Sequence, residues 1–106
     1  MVWVTAQAGR DPSTGEIVPG GIDGQLNQAI DNLAAILDEC GSSLERVVKT
    51  QIMYTDATDE DMIDAIYTHR FRAPLPARTT WGVKFLAAEP GTEVVRVQID
   101  CLAGLG

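Results

Sequence analysis

Apolar positions along the chain switch between two periods, and each switch marks an element. Val2 to Gln7 is β-branched and aromatic, which predicts a short strand. Asp11-Pro12-Ser13-Thr14-Gly15 follows as a turn, with proline presetting φ and glycine supplying positive φ. Pro19-Gly20-Gly21 extends that loop. From Ile22 to Glu39 the period becomes helical: Leu26, Ile30, Leu33 and Leu37 line one face, and Cys40-Gly41 supplies the stop. Val47 to Thr55 returns to strand composition and ends at Asp56. Thr58 is the expected N-cap of a second helix, with Asp59, Glu60 and Asp61 in the first turn, where the helix dipole favours anions. Met62, Ile63, Ile66, Tyr67 and Phe71 trace its apolar face, and Pro74 and Pro76 end it.

Two strands remain, Thr79–Leu86 and Val94–Ala103, with Glu89-Pro90-Gly91-Thr92 as the turn between them. The order strand, helix, strand, helix, strand, strand predicts an α+β domain spanning residues 1–106. Its terminal hairpin is antiparallel and its helices pack on one sheet face. In the hairpin, Trp81, Val83 and Phe85 alternate with Thr80, Gly82 and Lys84. Val95, Val97, Ile99 and Cys101 alternate with Arg96, Gln98 and Asp100. Turning both apolar sets toward the helices places Trp81 near Ile99 and Thr80 opposite Asp100, with Arg78 diagonal to Asp100. Arg78, Thr80 and Asp100 are therefore expected together on the face away from the helices. A guanidinium fork grips a carboxylate at two points, and a neighbouring carboxylate positions or deprotonates water. A structural Arg–Asp ion pair on an exposed sheet face is the alternative.

Composition narrows the remaining classes. With 106 residues, 45% of them hydrophobic, the chain makes one small domain that leaves apolar surface for subunits to share. No apolar run approaches the ~20 residues of a membrane span, and no signal peptide is apparent, so a cytoplasmic location is expected. The net charge of −7 disfavours binding to nucleic-acid backbones. Cys40 and Cys101 match no metal or redox spacing and are expected to be small buried apolar residues. With a single histidine, His69, no metal site is predicted. His69 itself is expected at the surface or at a helix end. The glycines at Gly15, Gly20, Gly21 and Gly24 fit no phosphate loop.

Pro76-Ala77-Arg78-Thr79-Thr80 resembles the Pro-Ala-Arg-Ser/Thr signature of the RidA/YjgF family. Asp11-Pro12-Ser13-Thr14-Gly15-Glu16, Gln28…Asn32-Leu33, Val47-Val48-Lys49-Thr50 and Val95-Arg96-Val97-Gln98-Ile99-Asp100 match further segments in the same order. The resemblance implies a chorismate-mutase-like α+β fold, with two helices on one sheet face. It also implies a homotrimer with sites at its subunit interfaces and no cofactor. The ligand it implies is a small 2-imino or 2-keto carboxylate. Arg78 then holds the substrate carboxylate, Thr80 stands where the family often has a pocket-lining cysteine, and Asp100 stands where a glutamate often orients water. Thr5-Ala6-Gln7 resembles the family's Ser-Gly-Gln, whose backbone shapes the pocket. Asp100 is one methylene shorter than glutamate, and a shift of about 1 Å costs ~100-fold in rate. The family's first strand, with its site-closing aromatic residue, is not found before Val2. Two functions fit: an imine/enamine deaminase, or a binding module for the same carboxylates. Ribonuclease activity, attached by name to some relatives, draws no support from the acidic composition.

Overall fold

The computed structural model describes residues 1–87 and 94–106. The elements run β1 (Val2–Ala8), α1 (Gly21–Glu39), β2 (Val47–Tyr54), α2 (Glu60–Arg70), β3 (Ala77–Gly82) and β4 (Val97–Ala103), with single 3₁₀ turns at Leu44–Arg46 and Ala57–Asp59. Gly41 closes α1 at φ 78°. The amide of Ser42 donates to the Leu37 carbonyl at 2.8 Å and that of Gly41 to the Asp38 carbonyl at 3.1 Å. These bonds satisfy the last helical carbonyls. The start of α2 departs from the expectation. Asp56, not Thr58, is the capping residue: its Oδ1 accepts from the Thr58 amide at 2.9 Å and from the Thr58 hydroxyl at 2.7 Å. This bond initiates the 3₁₀ turn that leads into α2.

The four strands form one sheet in the order β1-β4-β2-β3. β4 is antiparallel to both β1 and β2, and β3 lies parallel to β2. The expected β3–β4 hairpin is therefore corrected. Side-chain alternation assigns faces but not neighbours. A strand that follows a helix can return parallel to the strand before it, because the helix spans the crossover. Here β2-α2-β3 is such a unit, and β4 takes the other edge of β2. The turn residues 89–92 lie outside the described residues.

Both helices cover one face of the sheet. Leu26, Ala29, Ile30, Leu33 and Leu37 of α1, with Ile63, Ile66 and Tyr67 of α2, pack on Val4, Ile52, Tyr54, Val97, Ile99 and Cys101. The loop between β1 and α1 is tied down by α1 itself. The Asn32 side-chain amide donates to the Arg10 carbonyl at 2.8 Å and Gln28 donates to the Asn32 oxygen at 2.9 Å. The tie is close enough that a Cβ at Gly9 would sit 2.5 Å from the Gln25 carbonyl oxygen. Cys101 is buried as expected, whereas Cys40 is exposed, because it follows the last turn of α1 beyond the reach of the sheet. His69 is exposed in the last turn of α2, as expected. Among the described residues no helix is long and apolar enough to cross a membrane.

One polar network inside this core went unread in the sequence. Asp59 is 5% exposed and takes a two-point grip from Arg96, Nε to Oδ2 at 2.9 Å and Nη2 to Oδ1 at 2.8 Å. The Arg96 amide donates to Oε1 of the fully buried Gln25 at 2.8 Å, and the Gln25 side-chain amide donates to the Val94 carbonyl at 2.8 Å. The network fastens the approach to β4 onto α1 and the start of α2. Asp59→Ala removes both charge-assisted bonds and leaves a guanidinium two-thirds buried with only the more distant Asp56 carboxylate, 3.6 Å away. A loss of about 2–3 kcal/mol in urea unfolding is expected.

Candidate active site

β3 is an edge strand, and its parallel register aligns Arg78 with Thr50 and Thr80 with Ile52. Thr50 and Ile52 are buried beneath the helices, so Arg78 and Thr80 also point to the helix side. There α2 supplies Arg78 with two partners one turn apart. The guanidinium carbon lies 4.8 Å from the centre of the Tyr67 ring, and Nη2 lies 2.5 Å from Oδ1 of Asp64. A guanidinium over an aromatic face is held flat by the ring's electrostatic field. The ring is itself pinned: its hydroxyl shares a 2.7 Å hydrogen bond with Thr50 Oγ1. Burial pushes the Tyr67 hydroxyl up from its ordinary pKa, while the Thr50 bond and the Arg78 charge oppose the rise. Asp64, Tyr67, Thr68, Leu75, Pro76 and Arg78 line a cavity of about 300 Å³.

Asp100 sits on the opposite face. It pairs with Gln51 across β4 and β2, and with Trp3, Lys49, Gln51 and Leu102 it lines a shelf of about 110 Å³. Burial raises its carboxyl pKa above the ordinary value of 3.8, and a backbone hydrogen bond from Gln51 and the Lys49 charge only partly offset this. The β1–β4 ladder runs regularly to Val4↔Cys101 and resumes at Gln7↔Ile99. Two residues, Thr5 and Ala6, therefore face Asp100 alone. Such a bulge breaks the ladder and turns backbone groups away from strand pairing. Thr5 and Ala6 are both exposed there.

The expected convergence of Arg78, Thr80 and Asp100 on one face is thus corrected. Arg78 and Thr80 lie together on the helix side of β3. Asp100 lies with Thr5 and Ala6 on the other side, two strands away or about 10 Å laterally. Each half holds one charged group: a guanidinium beside a cavity on the helix side, and a half-buried carboxylate beside the Thr5–Ala6 bulge on the other. Asp64 and Tyr67, the partners of Arg78, were not singled out in the sequence. Their signal is a spacing of three on α2, which carries meaning only once β3 is known to run beside that helix. Among the described residues no group of three or more His, Cys, Asp or Glu is placed to hold a metal ion.

Comparison with known proteins places this arrangement. A profile of the family described as endoribonuclease L-PSP matches residues 1–104. The chain is 37% identical over 105 residues to a Mus musculus protein named 2-iminobutanoate/2-iminopropanoate deaminase, covering 99% of this chain and 74% of that one. It is 40% identical over 103 residues to a RutC family protein of Pyrococcus abyssi, covering 97% and 77%. The crystal structure of RidA from an Antarctic Psychrobacter species superimposes with a TM-score of 0.83 at 30% identity, covering 93% of this chain and 76% of that one. Sheet, helices and shelves together define a small α+β protein of the Rid type. The chain belongs to the endoribonuclease L-PSP family, the RidA/YjgF family that its signature segments resemble.

Proposed function

We propose that the protein is a cofactor-independent deaminase that hydrolyses small 2-imino carboxylates to 2-keto acids and ammonia. We further propose that it works as a homotrimer in which Arg78 and Thr80 of one subunit face Thr5, Ala6 and Asp100 of the next. The observation that carries this reading is the ring-braced Arg78 on an edge strand, opening on a cavity. Its own Asp100 is out of reach, and a second copy of the sheet supplies one. Several large apolar side chains remain for such a contact: Trp3 is 68% exposed and Trp81 52% exposed. The relatives named as deaminases support the reaction class.

The chemistry follows from the two halves. Arg78 takes the substrate carboxylate at two points and fixes the imine carbon relative to the neighbouring subunit. Backbone at the Thr5–Ala6 bulge borders the reacting group, and Thr80 lines the same pocket. Asp100 takes a proton from water as the oxygen bonds to the imine carbon and the C=N electron pair moves onto nitrogen. Asp100 returns that proton to the nitrogen; it then takes the hydroxyl proton of the adduct and passes it to the same nitrogen as C=O forms and the C–N bond breaks, releasing ammonia and the 2-keto acid. A carboxylate with a raised pKa is a better base than an exposed one.

The assay is 2-keto acid release from enzymatically generated 2-aminoacrylate, which tautomerises to its imine. Turnover above the spontaneous rate is expected. Tight binding of 2-ketobutyrate without turnover identifies a binding module instead. The pH profile carries a further expectation. Only ionised Asp100 accepts the proton, so kcat/KM falls as pH falls through its pKa. That acid limb lies above the ordinary 3.8 because burial raises the group. Asp100→Asn removes the limb together with most of the rate; a limb persisting unchanged in that variant assigns the base to another residue.

A further inference from the structure

We propose that Asp64 sets the carboxylate affinity of the site: its carboxylate occupies one hydrogen of Arg78 Nη2 and opposes an incoming carboxylate, by competing for that edge or as a like charge beside it. The inference rests on the reading of Arg78 as the carboxylate holder and adds a residue that competes for it.

The geometry of the guanidinium decides the point. It offers two two-point grips, end-on through Nη1 and Nη2 and side-on through Nε and Nη2. Both use Nη2, each through a different one of its two hydrogens, and one of the two is bonded to Asp64 Oδ1. With the Tyr67 ring on one face of the guanidinium, a carboxylate must approach through an edge. A ligand that binds at two points therefore either grips the other edge, with the Asp64 carboxylate beside it as a like charge, or takes the bonded hydrogen from Asp64.

Asp64 is built to yield it. The Arg96–Asp59 pair in the same chain shows what a permanent pair looks like: two bonds, Nε and Nη2, to an acid whose side chain is 6% exposed. The Arg78–Asp64 pair has one bond, and the Asp64 side chain is 54% exposed. Asp64 stands on the outer side of α2, four residues before Thr68, whose hydroxyl bonds the Asp64 carbonyl and not its carboxylate. A rotation about χ1 releases its acid into water without disturbing the helix. A partly exposed one-point pair contributes up to about fivefold in an equilibrium. That is enough to tune affinity and too little to close the site.

Asp64→Asn keeps the size and an acceptor oxygen but removes the charge. Calorimetric titration of the full chain with 2-ketobutyrate is expected to show about fivefold tighter binding in this variant. In turnover, KM falls by about the same factor and kcat changes by less than twofold. The uncharged 2-oxobutanamide gains nothing, since it has no carboxylate to compete. Asp64→Ala reproduces the tighter binding, which separates loss of competition from any new bond made by the asparagine. Wild-type binding that is not improved in either variant, or an Asp64→Asn protein that loses kcat with unchanged ketobutyrate affinity, overturns the proposal. In that case Asp64 is a structural anchor or a contact to the imine nitrogen. If neither wild type nor variant binds the keto acid, the assignment of Arg78 itself fails, and the role of Asp64 fails with it.

Discussion

Arg78→Ala is expected to lower kcat/KM for the imine substrate by at least ~100-fold while leaving the protein folded. The magnitude comes from two charge-assisted hydrogen bonds, each contributing about 1.5–3 kcal/mol when ligand is bound. The fold survives because the bonds Arg78 makes within its own chain are weak by comparison. The stack on Tyr67 and the single contact to the half-exposed Asp64 together contribute about 1–2 kcal/mol. Arg78→Lys separates charge from shape. A lysine keeps the cation but has no planar fork and loses the flat seat on Tyr67, so a drop of about 10- to 30-fold is expected. Circular dichroism and the urea midpoint of each variant confirm that the fold is intact. Full activity in a folded Arg78→Ala protein would remove the guanidinium from the chemistry.

The elements that build this site were largely legible in the sequence, and the reason differs from one to the next. α1 announced itself through Leu26, Ile30, Leu33 and Leu37, all fully buried in the structure. β4 announced itself through Val97, Ile99 and Cys101, which alternate with Gln98 and Asp100 in burial as in sequence. What periodicity could not supply was which strands are neighbours. The alternation in Trp81, Val83 and Phe85 suggested a core face, yet Trp81 aligns with Met53 on the side away from the helices and is half exposed. In the proposed trimer that outward face is one a second copy covers. The same strand therefore carries Arg78 and Thr80 on its helix side, the reverse of the expectation. The Asp59–Arg96 grip was hidden for a related reason. An acid in the first turn of a helix has a sufficient local explanation, and only the tertiary path of the chain before β4 reveals its partner. The bulge at Thr5 and Ala6 leaves no trace in composition at all. It follows from pairing β1 with β4, whereas the role of these two residues was carried by resemblance alone.

Mixing two inactive variants is expected to restore activity, and by a countable amount. If each site takes Arg78 from one subunit and Asp100 from the next, Arg78→Ala and Asp100→Asn are lesions in different halves. Equal mixing through co-refolding makes mixed trimers in three cases of four. Going round any such ring, one interface joins the intact Arg78 of one variant to the intact Asp100 of the other. A second interface carries both lesions, and the third carries one. One site in three within three trimers in four gives about a quarter of wild-type activity. A site completed within a single chain predicts nothing of the kind, since every subunit then carries one lesion and mixing recovers no rate. The separation of the two halves across the sheet makes the first outcome the one expected of the proposed shared site. Arg78 and Asp100 point to opposite faces with β2 between them, and no side-chain rotation carries a guanidinium through a hydrogen-bonded strand. Recovery that depends on co-refolding, and is absent when the two variants are combined without subunit exchange, ties the chemistry to a shared interface.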